Sequence, residues 1–157
     1  MSIAPIIQAV EVKLPPARAF EIFAGHIGTW WPSGCTVGAQ PHVDVIMEPR
    51  AGGRWFERDA QGTETPWGRV LTWDPPSRLL LAWQLDRDFK YDAGLVTEVE
   101  LRFEPVAGGG TRVTLEHRDL ERFGGADIPA HVAKLQNGWP SRLADFAGFA
   151  DAQVDQA

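Results

Sequence analysis

Residues 97–117 read TEVELRFEPVAGGGTRVTLEH, and the fold follows from this stretch. Val99, Leu101 and Phe103 alternate with Glu98, Glu100, Arg102 and Glu104. After three glycines, Gly108-Gly109-Gly110, the alternation resumes: Val113, Leu115 and His117 on one side, Arg112, Thr114, Glu116 and Arg118 on the other. A period of two puts successive side chains on opposite faces of a strand. Glycines between two such runs supply turn chemistry. The stretch reads as an antiparallel hairpin with one apolar face and one wet face.

Working outward, the same period runs from residue 42 to residue 118. It divides into strands at about 42–49, 53–59, 66–73, 78–85, 95–105 and 111–118. The separators are Ala51-Gly52-Gly53, Ala60-Gln61-Gly62 and Asp74-Pro75-Pro76-Ser77. Upstream, IIQAVEVKL at 6–14 alternates as a half-buried strand, which Pro15 and Pro16 end. Phe20, Phe23, Ile27 and Trp30 then form a helical stripe, and Gly25 and Gly28 predict two short helices. Downstream, Leu135, Trp139, Leu143, Phe146 and Phe149 or Ala150 recur at three-to-four spacing. Pro140 fits only the first turn of a helix, which places the start at Asn137 or Gly138. Residues 127–136 would add a preceding turn capped by Asp127. The expected fold is α+β, in the order β-α-α-β-β-β-β-β-β-α. A one-faced sheet must cover its apolar side, and the long C-terminal helix is the element large enough to do so.

The chain has 157 residues, one domain's worth, with a polar tail at 151–157 expected to fray. Its one cysteine, Cys35, excludes an internal disulfide and fits a reducing compartment. No basic leader precedes the first apolar residues, and no apolar run approaches the roughly 18 residues of a membrane helix. These features predict a soluble cytoplasmic protein with no membrane partner. The net charge of −6, with arginines scattered among acids, speaks against nucleic acid. Seven tryptophans demand a large aromatic interior.

Strand parity and helical spacing define a candidate cavity. Val99, Leu101, Phe103, Val113 and Leu115 form its expected floor, and Trp139, Leu143 and Phe146 its roof. Trp30 and Trp31 close one end, while Trp55 and Trp83 add aromatic wall. His117 shares the floor's parity. It is a candidate ligand donor or general base, against the plainer reading of a buried histidine bonded to its surroundings. Glu57 shares parity with Trp55 and is a second weak catalytic candidate, although a water-facing strand end is favoured. Arg69 shares parity with Trp67 and either clamps a ligand carboxylate or covers an aromatic from outside. His26, His42 and His131 read as exposed or near the surface. No metal-ligand spacing occurs, no cofactor is implied, and the triple glycine precedes a strand rather than the helix a phosphate loop requires.

The ordered words PPARAFEIF (15–23), WWP (30–32), EPRAGGRWFE (48–57), WGRVLTWDPPSRLLLAWQL (67–85), TEVELRFEPVAGGGTRVTLEH (97–117) and GWPSRLADF (138–146) cover nearly the whole chain. Together they resemble the activator-of-heat-shock-ATPase-homologue branch of the START-like (SRPBCC) superfamily. The resemblance implies a helix-grip fold, a curved antiparallel sheet wrapped around a long C-terminal helix with a cavity between them. It also implies a small apolar or aromatic ligand. Two alternatives stand beside binding: a cyclase, aromatase or hydrolase using the same cavity, and a protein-interaction role. The branch's prototype stimulates a chaperone ATPase through a two-domain chain, of which this sequence matches the START-like half. A homodimer is left open.

Overall fold

In the computed structural model, which describes residues 3–154, the hairpin read from 97–117 is part of a larger sheet. The strands are β1 (Ile6–Val12), β2 (His42–Met47), β3 (Arg54–Asp59), β4 (Glu64–Asp74), β5 (Arg78–Trp83), β6 (Thr97–Pro105) and β7 (Thr111–Arg118). Between the first two lie α1 (Pro16–Phe20), a π-helical turn at Glu21–Gly25, and α2 (Ile27–Trp30). A 3-10 turn at Leu120–Phe123 precedes α3 (Ile128–Ala152). The seven strands form one sheet in the order β1-β7-β6-β5-β4-β3-β2. Every neighbouring pair is antiparallel. The sheet grips α3 against its apolar face, which is the helix-grip arrangement.

The alternation does what its period requires. Leu101 pairs with Leu115 and Phe103 with Val113, all on the inner face and essentially without exposure. Helix α3 turns Leu135, Trp139, Leu143, Phe146 and Ala150 onto them. The α1–α2 unit fills the remaining space. Phe20 and Phe23 reach the Phe103 ring at 5.1 and 6.0 Å, and Phe23 reaches Phe146 at 5.2 Å. The middle of the grip is therefore solid aromatic and aliphatic packing. Gly28 lets α2 lie directly on the edge strand, because a Cβ there would run into the backbone of Val45 and the side chain of Asp44.

Two expectations about α3 are corrected. It begins at Ile128 rather than at Asn137 or Gly138, and it carries Pro140 in its interior. Pro140 and Gln136 are both exposed, so water can serve the carbonyl that the missing N–H leaves free. Asp127 precedes the helix without capping it through its side chain, which pairs with Arg87 instead. The helix also continues two residues into the stretch expected to fray, and Asp151 accepts the backbone N–H of Lys13 at 2.8 Å. Residues 155–157 lie outside the described residues. No helix among the described residues is long and apolar enough to cross a membrane.

Candidate ligand-binding site

The cavity lies at one end of the grip, beyond the packed centre. It has a volume of about 270 Å³. Its walls are Trp67 of β4, Trp83 at the end of β5, Leu85 and Phe89 of the segment that follows, and Trp31, Cys35 and Val37 of the α2–β2 loop. Helix α3 completes it with Lys134, Leu135, Gly138, Trp139 and Arg142. Four indoles surround the space at angles to one another. Trp31 stands against Trp67 at 57° and against Trp139 at 80°, and Trp83 against Trp139 at 63°.

A break in strand register brings Trp67 there. Trp55 pairs with Gly68 and Phe56 with Pro66, which leaves Trp67 as the extra residue of a β-bulge. Gly68 follows at the bulge, where a Cβ would collide with the Ala82 carbonyl. Beyond the bulge Arg69 opposes Arg54 and Ala82 and is exposed on the outer face. The clamp role for Arg69 is thereby excluded. Its shared parity with Trp67 fails because parity assumes an unbroken ladder.

Glu57 does not face water. It is 1% exposed and points inward opposite Val45. Its carboxylate accepts the Thr36 hydroxyl at 2.7 Å, the N–H groups of Val37 and Gly38 at 2.6 and 3.1 Å, and Trp67 Nε1 at 2.9 Å. Glu57 thus pins the α2–β2 loop to β3 and fixes one indole of the wall. Thr36 in turn receives the His42 backbone N–H and contacts Nδ1 of the His42 ring at 3.0 Å. His42 is buried, not exposed, because this loop folds over it.

His117 is fully buried and fully engaged. Trp139 Nε1 donates to its Nδ1 at 3.1 Å. An indole nitrogen only donates, so Nδ1 is the bare nitrogen and Nε2 carries the proton. Nε2 then donates to Thr97 Oγ1 at 2.8 Å, and Thr97 donates to the Trp83 carbonyl at 3.3 Å. Burial, with nearby His131, pushes the imidazole pKa down to about 3. His117 is thus a neutral post that orients Trp139. Its one basic lone pair is already occupied, and it has no access to the cavity's contents.

His131 is buried too, correcting its surface assignment, with its ring 4.6 Å from Phe123 and 5.3 Å from Phe89. His26 is exposed as read. Of the tryptophans expected at the site, Trp31, Trp83 and Trp139 line the cavity. Trp30 donates to the Ile22 and Phe23 carbonyls in the core, and Trp55 packs behind Trp67 and Trp83. Val99, Leu101, Phe103, Val113, Leu115, Leu143 and Phe146 belong to the packed centre rather than to the cavity wall. Sequence reasoning missed Cys35, Val37, Trp67, Leu85, Phe89 and Leu135, and with them Lys134, Gly138 and Arg142. The last three stand at four-residue intervals on one helical face, a spacing visible in the sequence once α3 is started early enough.

Among the described residues no group of three His, Cys, Asp or Glu side chains is placed to hold a metal ion.

The fold and its end cavity define a helix-grip domain with a small aromatic-walled chamber. The chain belongs to the family of activator of Hsp90 ATPase homolog 1-like proteins, whose model matches residues 13–150. Txn09, an anthrahydroquino-γ-pyrone synthase, is 35% identical over 94% of this chain and 97% of its own, with a TM-score of 0.65. CalC from Micromonospora echinospora, a self-sacrificing resistance protein, is 27% identical over 96% of both chains, with a TM-score of 0.67. The Aha1 dimer from Colwellia psychrerythraea shares the fold at 14% identity, covering 95% of this chain and 97% of that one, with a TM-score of 0.64. No curated protein matches the sequence.

Proposed function

We propose that the protein binds a small planar aromatic molecule in the end cavity. The observation that carries this reading is the four-indole wall around about 270 Å³ of space, near the lower limit of ligand sites at roughly 300 Å³. That volume suits two or three fused rings. Gly138 supports the reading from the other side. It sits inside a 25-residue helix, where glycine costs about 1 kcal/mol relative to alanine. A Cβ at this position meets nothing within 4 Å. The residue lines the cavity and leaves its floor open.

A second reading, ring closure of a reactive ligand, draws support from Txn09, a synthase by name at 35% identity. In this chain His117 and Glu57 are both fully engaged, so neither serves as a free acid or base. Catalysis here would rest on holding a flexible precursor folded in the chamber, where proximity alone accelerates closure. The co-chaperone role draws no support from this site.

The test is calorimetric titration with a neutral bicyclic probe, 2-naphthamide, against the native protein and Gly138→Leu. The expected result is saturable one-site binding to the native protein, lost in Gly138→Leu at unchanged circular dichroism and a melting temperature no lower than the native protein's. Equal affinity for the two proteins would overturn the reading.

A further inference from the structure

We infer that the cavity selects an anionic aromatic ligand, a carboxylate or phenolate, whose charged group is received by Arg142 and Lys134. The inference rests on reading the cavity as a ligand site. It starts from a mismatch of charge. The chain carries 21 acidic and 15 basic residues, yet the cavity wall holds Lys134 and Arg142 and no aspartate or glutamate. Asp86 and Asp88, on the loop that carries Phe89, act on His131 but do not line the chamber.

The two cations are placed as a pair. Lys134, Gly138 and Arg142 fall on one face of α3, and a rise of 1.5 Å per residue sets the outer two about 12 Å apart along the axis. The open floor at Gly138 lies midway. A flat molecule resting over Gly138 therefore has a cation at each end.

Arg142 is the prepared receptor. Its side chain is 21% exposed, and Nε donates to Asp145 at 2.9 Å. Nη1 donates to the Cys35 sulfur at 2.7 Å, and the guanidinium carbon lies 6.0 Å from the Trp31 ring. These three contacts hold the planar fork in place, and no partner for Nη2 is found among the described residues. A guanidinium fixed in this way loses little entropy on meeting an oxyanion. Lys134 is exposed at the rim, and none of the ion pairs among the described residues involves it. Its charge contributes, after burial, to depressing the pKa of His131. It stands where it would steer an anion inward.

The experiment compares 2-naphthoate with 2-naphthamide, which share a shape and differ in charge, by calorimetry at low salt. The native protein is expected to bind naphthoate at least about tenfold tighter, the scale of one charge-assisted hydrogen bond. The ratio is expected to fall to about one in Arg142→Gln, and to narrow in Lys134→Gln, an exposed side chain whose loss spares the fold. Equal affinity of the native protein for both probes, or a preference that persists in both variants, would overturn the inference. Equal binding that Gly138→Leu abolishes would overturn only the charge preference. Binding of neither probe, or binding indifferent to Gly138→Leu, would overturn the ligand reading as well.

Discussion

His117 shows how a side chain suited to catalysis becomes structural. Its inward parity is readable from Val113 and Leu115, but its partners are not. Trp139 arrives from α3, and Thr97 from the neighbouring strand. The consequence is measurable. The folded imidazole titrates near pH 3, and its ordinary value is 6.5. Above pH 6.5 both folded and unfolded states hold it neutral, and its contribution to stability is complete. As pH falls from 6.5 towards 3 the unfolded chain takes up the proton first, so stability is lost over that window. The loss from one such group approaches about 1.4 kcal/mol per pH unit. Denaturant unfolding across this range should show the slope, and His117→Gln should flatten it, since an amide can still accept from Trp139 and donate to Thr97. His131, lowered mainly by its burial, adds a share that survives the substitution. Identical slopes in the two proteins would contradict the assignment.

At the scale of elements, the α2–β2 loop depends on one carboxylate. Glu57→Ala strands two backbone donors, a hydroxyl and an indole, and should cost about 3 kcal/mol or more. Denaturation measures the loss, and the freed Trp67 should weaken probe binding further. Helix α3 holds the opposite kind of residue, kept despite its cost. Gly138→Ala should raise stability by roughly 1 kcal/mol, with no clash to offset it, while shrinking the chamber. A lower melting temperature would show that the space is not open. These elements also mark where sequence reading stops. Strand identities, the antiparallel order and the two short N-terminal helices are legible, because each follows from a local period and local turn chemistry. The bulge at Trp67 is not legible, since one inserted residue reverses the parity of Arg69 and Val70 until a second register break between Val70 and Thr72 restores it. The start of α3 is hidden by Pro140, whose cost depends on whether its face meets water. The cavity's place is hidden because Phe20 and Phe23 fill the sheet's centre, a fact of tertiary packing. His42 and His131 read as exposed because their covers are set by tertiary folding: the loop just before His42 folds back over it, and Phe89 and Phe123 pack on the His131 ring.

Across the whole molecule the two faces of the sheet divide the work. The inner face packs a solid centre and leaves one aromatic chamber at its end. The outer face carries charge. Arg78 and Arg102 stand directly opposed across β5 and β6, and Glu100, 2% exposed, is ligated by both and by Arg118. Burial alone would raise its pKa, but hydrogen bonds from Arg78 and Arg118 and the charge of Arg102 outweigh it and hold the carboxyl near 2. Its contribution is present above its ordinary value of 4.5 and fades as pH falls towards 2. Acid unfolding should therefore lose stability first through the histidines and then, below pH 4.5, through this carboxylate. Glu100→Gln should alter only the second arm, and a change in the first would show the two faces to be coupled. The central claim, that the end chamber and not the packed centre receives the ligand, is tested most directly by nuclear magnetic resonance. Each of the seven tryptophans gives one indole N–H signal. On saturation with 2-naphthoate the signals of Trp31, Trp67, Trp83 and Trp139 should move together, while Trp73, which packs on Phe20 at the far end of β4, stays still. Movement of Trp73, or silence from the four chamber indoles at saturating probe, would contradict the account.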